Sequence, residues 1–259
     1  DLFLTETART FASVFLPAAA SFEKDGTFMN AERRIQRVRR AYPPPGQARP
    51  DWEIISAVAR RMNQGAGFDF ANVEAIWNEI RRVWSDVRGI TSKRLDDEGG
   101  LCWPCPSEQH PGTQVLYEAG FPLGRAALRS IDFRPTSEVP TADFPFLLTT
   151  GRTLYQFNAG TMTGRSQTNQ LRPTDVLEMS PFDATRLGVG EGERVTLTSR
   201  YGKTVVPVTR SPWMKSGELF VTFHDPTIFL NEITGAERDA VVGAPEYKVT
   251  AVRIEKGRE

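Results

Sequence analysis

The stretch TGRTLYQFNAGTMTGRS, residues 150–166, joins two arginines to threonine hydroxyls, glycines and the amides of Gln156 and Asn158, and it contains no acid, cysteine or histidine. Such a set cannot exchange protons near neutral pH, but it can bind. Arg152 and the hydroxyls of Thr150, Thr153, Thr161 and Thr163 suit phosphate oxygens, and Gln156 and Asn158 suit a heterocycle whose edge both donates and accepts. The apolar run FPFLLTT just before it predicts a strand, and Gly151 at its end lets the backbone approach a ligand closely. The same residues also make an ordinary polar loop between strands. Residue types alone leave both readings open.

A second candidate is FEKDGTFMNAERRIQRVRR near the start, where turn-forming Gly26 and Asn30 precede arginines at 33, 34, 37, 39 and 40. Turn N–H groups beside guanidinium groups are what buried phosphates require, and a solvated charged surface accounts for the run equally well. Cys102 and Cys105 in LCWPCP have the spacing of a metal or redox pair, but no second pair or histidine set completes a zinc site, so they read as ordinary thiols. His110 and His224 are the only histidines, and neither has a carboxylate-rich motif beside it. Neither is expected to be catalytic. A nucleophile elbow, a phosphate loop ending in Lys-Ser/Thr and a strand followed by GxGxxG are all absent.

The elements that must position these residues fall into three stretches. Residues 1–90 read as mixed α/β. SVFLPAAA has the pattern of a buried strand ended by Pro17, and DWEIISAVARRM places Trp52, Ile55, Val58, Ala59 and Met62 at helical spacing with Asp51 as N-cap. NVEAIWNEIRRVW repeats that spacing behind Asn72 as cap. Residues 91–143 are punctuated by Gly and Pro and read as a long extended connector. Residues 144–259 turn β-rich, with a hairpin at Tyr201–Gly202 and one short helix whose Ser180 cap, Pro181 and Gly188 stop are all in place. Several short strands around one helix predict a small closed barrel.

Bulk properties exclude several classes. The chain has 259 residues, 39% hydrophobic and 25% charged, with 32 basic residues balancing 32 acidic ones. That balance gives no global field for nucleic acid or an anionic membrane. No apolar run of about 18 residues predicts a membrane span, and two cysteines favour a reducing, cytoplasmic compartment. The opening DLFLTETART has neither an initiator Met nor a signal-peptide pattern, which suggests a portion of a longer chain.

Taken in order, TETA, LPAAASFEKDGTFMNAERRIQRV, PGQARPDWEI, GLCWPCPSEQHPGT, TGRTLYQFNAGTMTGRS, DATRLGVGEGERVTLTSRYG, FHDPTIFLNEIT and PEYKVTAVRIEK resemble the C-terminal part of the bis-molybdopterin-guanine-dinucleotide oxidoreductases. Within that group the chain is most similar to the catalytic (alpha) subunit of cytoplasmic formate dehydrogenases. The resemblance implies the end of a Rossmann-like α/β domain followed by a C-terminal double-psi β-barrel. It also implies two pterin dinucleotides around one Mo or W atom.

By that resemblance Asp1, Lys24 and Asp51 contact one dinucleotide. Thr150, Gly151, Arg152, Thr153, Leu154, Tyr155, Gln156, Phe157, Asn158 and Ala159 form the loop over pterin and phosphates, and Phe223, Asn231 and Lys248 are later contacts in the barrel. No catalytic residue or metal ligand is expected in this stretch of the family, where the metal ligand and the catalytic His and Arg lie upstream. The implied partners are the N-terminal remainder of the catalytic subunit, iron–sulfur clusters in that part or in partner subunits, and NAD-reducing flavin and iron–sulfur subunits. Periplasmic nitrate reductases carry HWH where this chain has Tyr155, Gln156 and Phe157, which favours formate over nitrate. A nitrate reductase-like enzyme and a cofactor-free structural subunit of a respiratory complex are the alternatives.

Overall fold

The computed structural model describes residues 1–257 and divides into two compact units, Asp1–Arg129 and Ser130–Glu259. The first is a small α/β arrangement. Helix α1 (Glu6–Phe11) is capped by Thr5, and strands β1 (Gly26–Met29) and β2 (Arg34–Val38) pair antiparallel with Gly26 opposite Val38. Helices α2 (Asp51–Arg61), α3 (Val73–Val83) and α4 (Ser92–Glu98) follow, and β3 (Leu101–Cys102) adds to β2 to complete a three-stranded sheet.

The core of this unit is Ile35, Trp77, Val87, Ile90, Leu95, Leu101 and Cys105, with the Trp77 indole N–H satisfied by the Ile90 carbonyl at 2.8 Å. Asn72 caps α3 as expected, accepting from the Ala75 N–H at 2.9 Å. Asp51 does not cap α2. It is the first helical residue, Pro50 holds the cap position, and the Asp51 carboxylate is ion-paired with Lys24 instead.

Two further expectations differ from the structure. Residues 13–20 form no strand, because the only ladder available to them is a single parallel bridge between Ala18 and Arg49. Val14 and Leu16 are correspondingly exposed. The apolar face of α2 also stays open at Ile55, Val58 and Met62, while Ala59 is buried. Helix α4 and strand β3 lie within residues 91–143, where no helical periodicity is legible; α4 is held by its ends, with Thr91 capping Arg94 N–H and Gly99 stopping it in the left-handed region. Both cysteines are buried and unpaired.

The second unit is a closed barrel. Its strands are β4 (Phe146–Gly151), β5 (Leu177–Met179), β6 (Arg194–Thr198), β7 (Lys203–Arg210), β8 (Glu218–Thr222) and β9 (Val249–Lys256), and helix α5 (Pro181–Leu187) follows β5. The order around the barrel is β4-β8-β5-β7-β6-β9. Two of the pairings, β4 with β8 and β5 with β7, are parallel and the rest antiparallel. This mixed six-stranded closure is the double-psi β-barrel.

Alternation fills its interior. Phe146 and Leu148, Leu177 and Met179, Val195 and Leu197, Val206 and Val208, and Leu219 and Val221 all point inward. Each such side chain contributes about 1.5–3 kcal/mol of burial. The α5 boundaries follow the sequence signals, with Ser180 accepting from Asp183 N–H at 3.1 Å and Gly188 in the left-handed region at φ +66°. Ahead of β4, the buried Glu138 carboxylate clasps three places in the barrel. It accepts from the Tyr201 hydroxyl at 2.7 Å, Arg200 at 3.2 Å and the Ala251 N–H at 2.8 Å.

Candidate functional site

Strand direction decides what gathers at one end of the barrel. Strands β4 and β8 run parallel with Gly151 opposite Thr222, so both deliver their C-terminal ends to one rim. Strand β9 runs against β4, with Thr149 opposite Val249, and therefore starts at that rim. Strand β5 runs against β8, with Glu178 opposite Phe220, so the residues leading into β5 arrive there too. The rim thus collects residues 150–159, Phe223, Lys248 and the segment 172–175, which are far apart in sequence.

The junction is tight. The Thr150 N–H donates to the Lys248 carbonyl at 3.1 Å and its hydroxyl to the Tyr247 carbonyl at 3.2 Å, while Phe223 meets the Tyr247 ring edge-on at 6.4 Å. Gly151 is required by a close approach, since a Cβ there would lie 2.5 Å from the Phe220 ring. Asn231 is exposed in a short 3-10 turn, Leu230–Ile233, that follows Phe229 in the left-handed region.

The loop itself is ordered from within. The Thr153 hydroxyl accepts from the N–H groups of Tyr155 and Gln156. Gln156 is 4% exposed and its amide is fully used: Nε2 donates to Asn169 Oδ1 at 2.8 Å and to the Arg172 carbonyl at 3.0 Å, and Oε1 accepts from the Thr163 hydroxyl at 2.6 Å. Gln156 therefore acts as a hub of the loop. Around it Arg152, Leu154, Tyr155, Phe157, Asn158 and Ala159 are exposed, Arg152 lying over the Phe157 ring at 6.0 Å and Asn158 turning the chain at φ +51°.

A buried polar network beneath the loop escapes sequence reading. Asp175, fully buried, accepts from the Thr222 hydroxyl at 2.6 Å and from the N–H groups of His224 and Asp225, and His224 Nδ1 lies 2.7 Å from it. On the other side of the ring, His224 Nε2 lies 3.0 Å from the Arg172 carbonyl. His224 is thus buried, with both ring nitrogens turned toward protein acceptors. Asp225, nearby, is pushed up by burial, but hydrogen bonds from Thr174 and Thr227 outweigh this and hold its carboxyl below the usual range. The only hint of the network in sequence is the HD pair at 224–225, which by itself has no partner.

In the first unit the three remaining residues group differently. Lys24 and Asp51 are paired with each other. Asp1 accepts from Ala18 N–H through its carbonyl, and Arg49 bonds the carbonyl of Pro17 and the N–H of Ala19, so Asp1 and the entry to α2 flank the same extended segment. The Asp1 carboxylate bonds its own neighbour, the Leu2 N–H, at 2.6 Å. Beside this segment runs a groove of about 660 Å³ lined by Leu16, Pro17, Arg49, Ile54 and Arg61 among others.

Comparison with known proteins gives this geometry a context. Residues 146–251, which span the barrel strands almost end to end, match the Molydopterin dinucleotide binding domain, and residues 1–61 match the Molybdopterin oxidoreductase domain. The chain belongs to the molybdopterin oxidoreductases. It is 41% identical over 260 residues to the F420-dependent formate dehydrogenase subunit alpha of Methanocaldococcus jannaschii, covering 99% of this chain and 38% of that protein. It is 35% identical to the assimilatory nitrate reductase catalytic subunit of Bacillus subtilis, covering 98% of this chain and 37% of that one. The chain thus spans well under half the length of these relatives. The fold is also that of acetylene hydratase from Pelobacter acetylenicus, with a TM-score of 0.65 at 14% identity over 93% of this chain and 37% of the other.

The donor set at the rim fits a molybdopterin dinucleotide. Arg152 and Lys248 are both exposed, and among the described residues neither meets an acid. Their charge is free for phosphate, while hydroxyls and main-chain groups around Gly151 are free of the bulk a side chain would add.

Proposed function

We propose that this chain is the C-terminal cofactor-binding portion of a formate dehydrogenase catalytic subunit, oxidising formate reversibly to CO2 at a Mo or W bis-pterin centre. When bound, the group supplies a redox-active metal at which formate yields CO2, one proton and two electrons, which leave through iron–sulfur clusters. The chain's own residues bind and orient. Arg152 and Lys248 neutralise phosphate, the Gln156 hub keeps the loop in one conformation, and the Thr150 and Gly151 backbone anchors that loop to β8 and β9. Holding a cofactor in a fixed pose is the protein's share when the cofactor does the chemistry. The observation that carries the reading is the pair of exposed cations that meet no acid among the described residues, on the rim of a barrel that matches a dinucleotide-binding domain.

We place Phe223, Asn231, Thr153, Leu154, Tyr155, Phe157, Asn158 and Ala159 with them at the dinucleotide. Asp1, Lys24 and Asp51 are assigned to the second one, where the Lys24–Asp51 pair must open or be bridged if both are to bind. The remainder of the catalytic subunit and electron-carrying iron–sulfur and flavin subunits are the proposed partners. NAD is the acceptor that goes with the proposed flavin and iron–sulfur subunits, and the Tyr155–Gln156–Phe157 triplet favours formate over nitrate. The archaeal relatives are named F420-dependent, so both acceptors belong in the assay. Two unpaired thiols support a cytoplasmic setting, and among the described residues no helix is long and apolar enough to cross a membrane.

A nitrate reductase is the second reading, favoured by the relatives of that name at 34–35% identity. The test is formate-dependent viologen reduction by the full-length subunit with its partners, under anoxic conditions, beside nitrate consumption by the same sample at known metal and pterin content. Formate turnover supports the first reading. A sample loaded with metal and pterin that consumes only nitrate replaces it with the second, and one that carries no pterin dinucleotide is a structural subunit.

A further inference from the structure

The network beneath the loop leaves one cation without an acceptor. Arg172 gives its carbonyl to Gln156 and His224, which pins its backbone at the rim ahead of β5. Its side chain, by contrast, forms no hydrogen bond or ion pair among the described residues, and its Nε is buried without a partner. Three other arginines of the unit are satisfied: Arg186 reaches Asp183, Arg200 reaches Glu138, and Arg210 reaches the Val189 carbonyl. Arg37 of the first unit, whose Nε also lacks a hydrogen bond, still faces Asp96 at 3.6 Å. The two acids of the network beneath the loop are occupied, Asp175 by Thr222 and His224, and Asp225 by Thr174 and Thr227.

A guanidinium cannot shed its proton, so a buried N–H left without an acceptor carries a desolvation cost that an acceptor arriving from outside removes. Its planar fork matches the oxygens of a phosphate group. We propose that Arg172 is a phosphate-binding residue, a third cation of the rim beside Arg152 and Lys248, taking a phosphate of the pterin dinucleotide. The identity of that ligand rests on the function proposed above, whereas the anion site itself rests on the unpaired guanidinium.

The test compares the full-length subunit with its Arg172→Met and Arg172→Lys variants, produced in a host that inserts the cofactor. Loss of one charge-assisted contact predicts that Arg172→Met retains about tenfold less pterin dinucleotide per protein, read as nucleotide released on acid hydrolysis, with Arg172→Lys in between. Amide exchange across residues 153–163 stays at the wild-type level, because the Arg172 carbonyl is unchanged. Wild-type dinucleotide content in Arg172→Met overturns the proposal, as does loop exchange that rises as far as retention falls, which marks a structural role. If the wild-type protein itself carries no dinucleotide, the function proposed above fails. Pyrophosphate titration of wild type and Arg172→Met then decides the anion site alone: weaker binding by the variant keeps it, and equal binding removes it.

Discussion

Gln156 and His224 meet at one acceptor, the carbonyl of Arg172, each with a side-chain nitrogen 3.0 Å from the oxygen. The loop that carries the candidate ligand groups is thereby tied to the strand end that carries His224, and through Asp175 to the residues entering β5. Shape at the rim is enforced from inside the protein. Its outward groups are free to bind.

Gln156→Leu keeps the volume and removes the hub. The Thr163 hydroxyl and Asn169 lose a partner in a buried setting, at a cost of about 1–3 kcal/mol. Faster amide exchange at Tyr155, Gln156 and Phe157, with a lower thermal midpoint, is the expected result. Gln156→Glu should be worse, because it sets a carboxylate against Asn169 Oδ1 and the Arg172 carbonyl.

Gly151→Ala brings a methyl group within 2.5 Å of the Phe220 ring. The ring has to leave its place over β4, and the expected destabilisation is roughly 1–3 kcal/mol. Denaturant titration of a double-mutant cycle checks the cause: in a Phe220→Ala background the same change at Gly151 should cost much less. An equal cost in both backgrounds would trace the effect to the backbone.

Arg152→Ala and Lys248→Ala are exposed changes that leave the apoprotein's stability within about 0.5 kcal/mol of wild type. Each should lower dinucleotide retention about tenfold, and the deficit should narrow at high ionic strength, where screening weakens the wild-type contact as well. Dinucleotide and metal content of the purified full-length subunit is the measurement. Full content with reduced turnover would assign these residues to something other than binding.

Asp183 ties α5 to the start of β8. Burial pushes its carboxyl up, but the Gly217 N–H and the side chains of Ser180, Arg186 and Ser216 together outweigh that and hold it below its ordinary value of 3.8. A depressed native pKa means that its contribution to stability is complete above the ordinary value and is lost as pH falls through the native one. Stability curves between pH 2 and pH 6, a range taken around ordinary carboxylate titration, should therefore be flatter for Asp183→Asn than for wild type. The variant should be the less stable at the upper end, and parallel curves would show that the carboxylate does not titrate with unfolding.

What the sequence made legible was local. The Tyr201–Gly202 hairpin, the Ser180 cap with its Gly188 stop and the Asn72 cap depend on neighbours within a few positions, and all three form. Strand β4 and the loop after it were also readable, because Gly151, Arg152 and Gln156 advertise their chemistry by type. Long-range effects were not readable. Residues 13–20 have a strand's pattern but lack a neighbouring strand, and Asp51 has a cap's position but is drawn to Lys24. The bonds that the Asp175 carboxylate accepts from the Thr222 hydroxyl and the His224 N–H require β5 to lie beside β8, a pairing that no local pattern encodes. For the same reason Gln156, which reads as a ligand group, is turned inward by partners at Asn169 and Arg172.

The order of the barrel strands also sets a schedule. Strand β4 is synthesised first of the six, yet the two strands it bonds, β8 and β9, are the last two to be made. Contacts this distant along the chain form slowly, and they cannot form until β9 has been made. The loop that follows β4 therefore stays unanchored until both of these strands have been made. A ligand held between that loop and Lys248 can therefore be enclosed only once β9 is in place, which makes its capture a late event in the assembly of this unit.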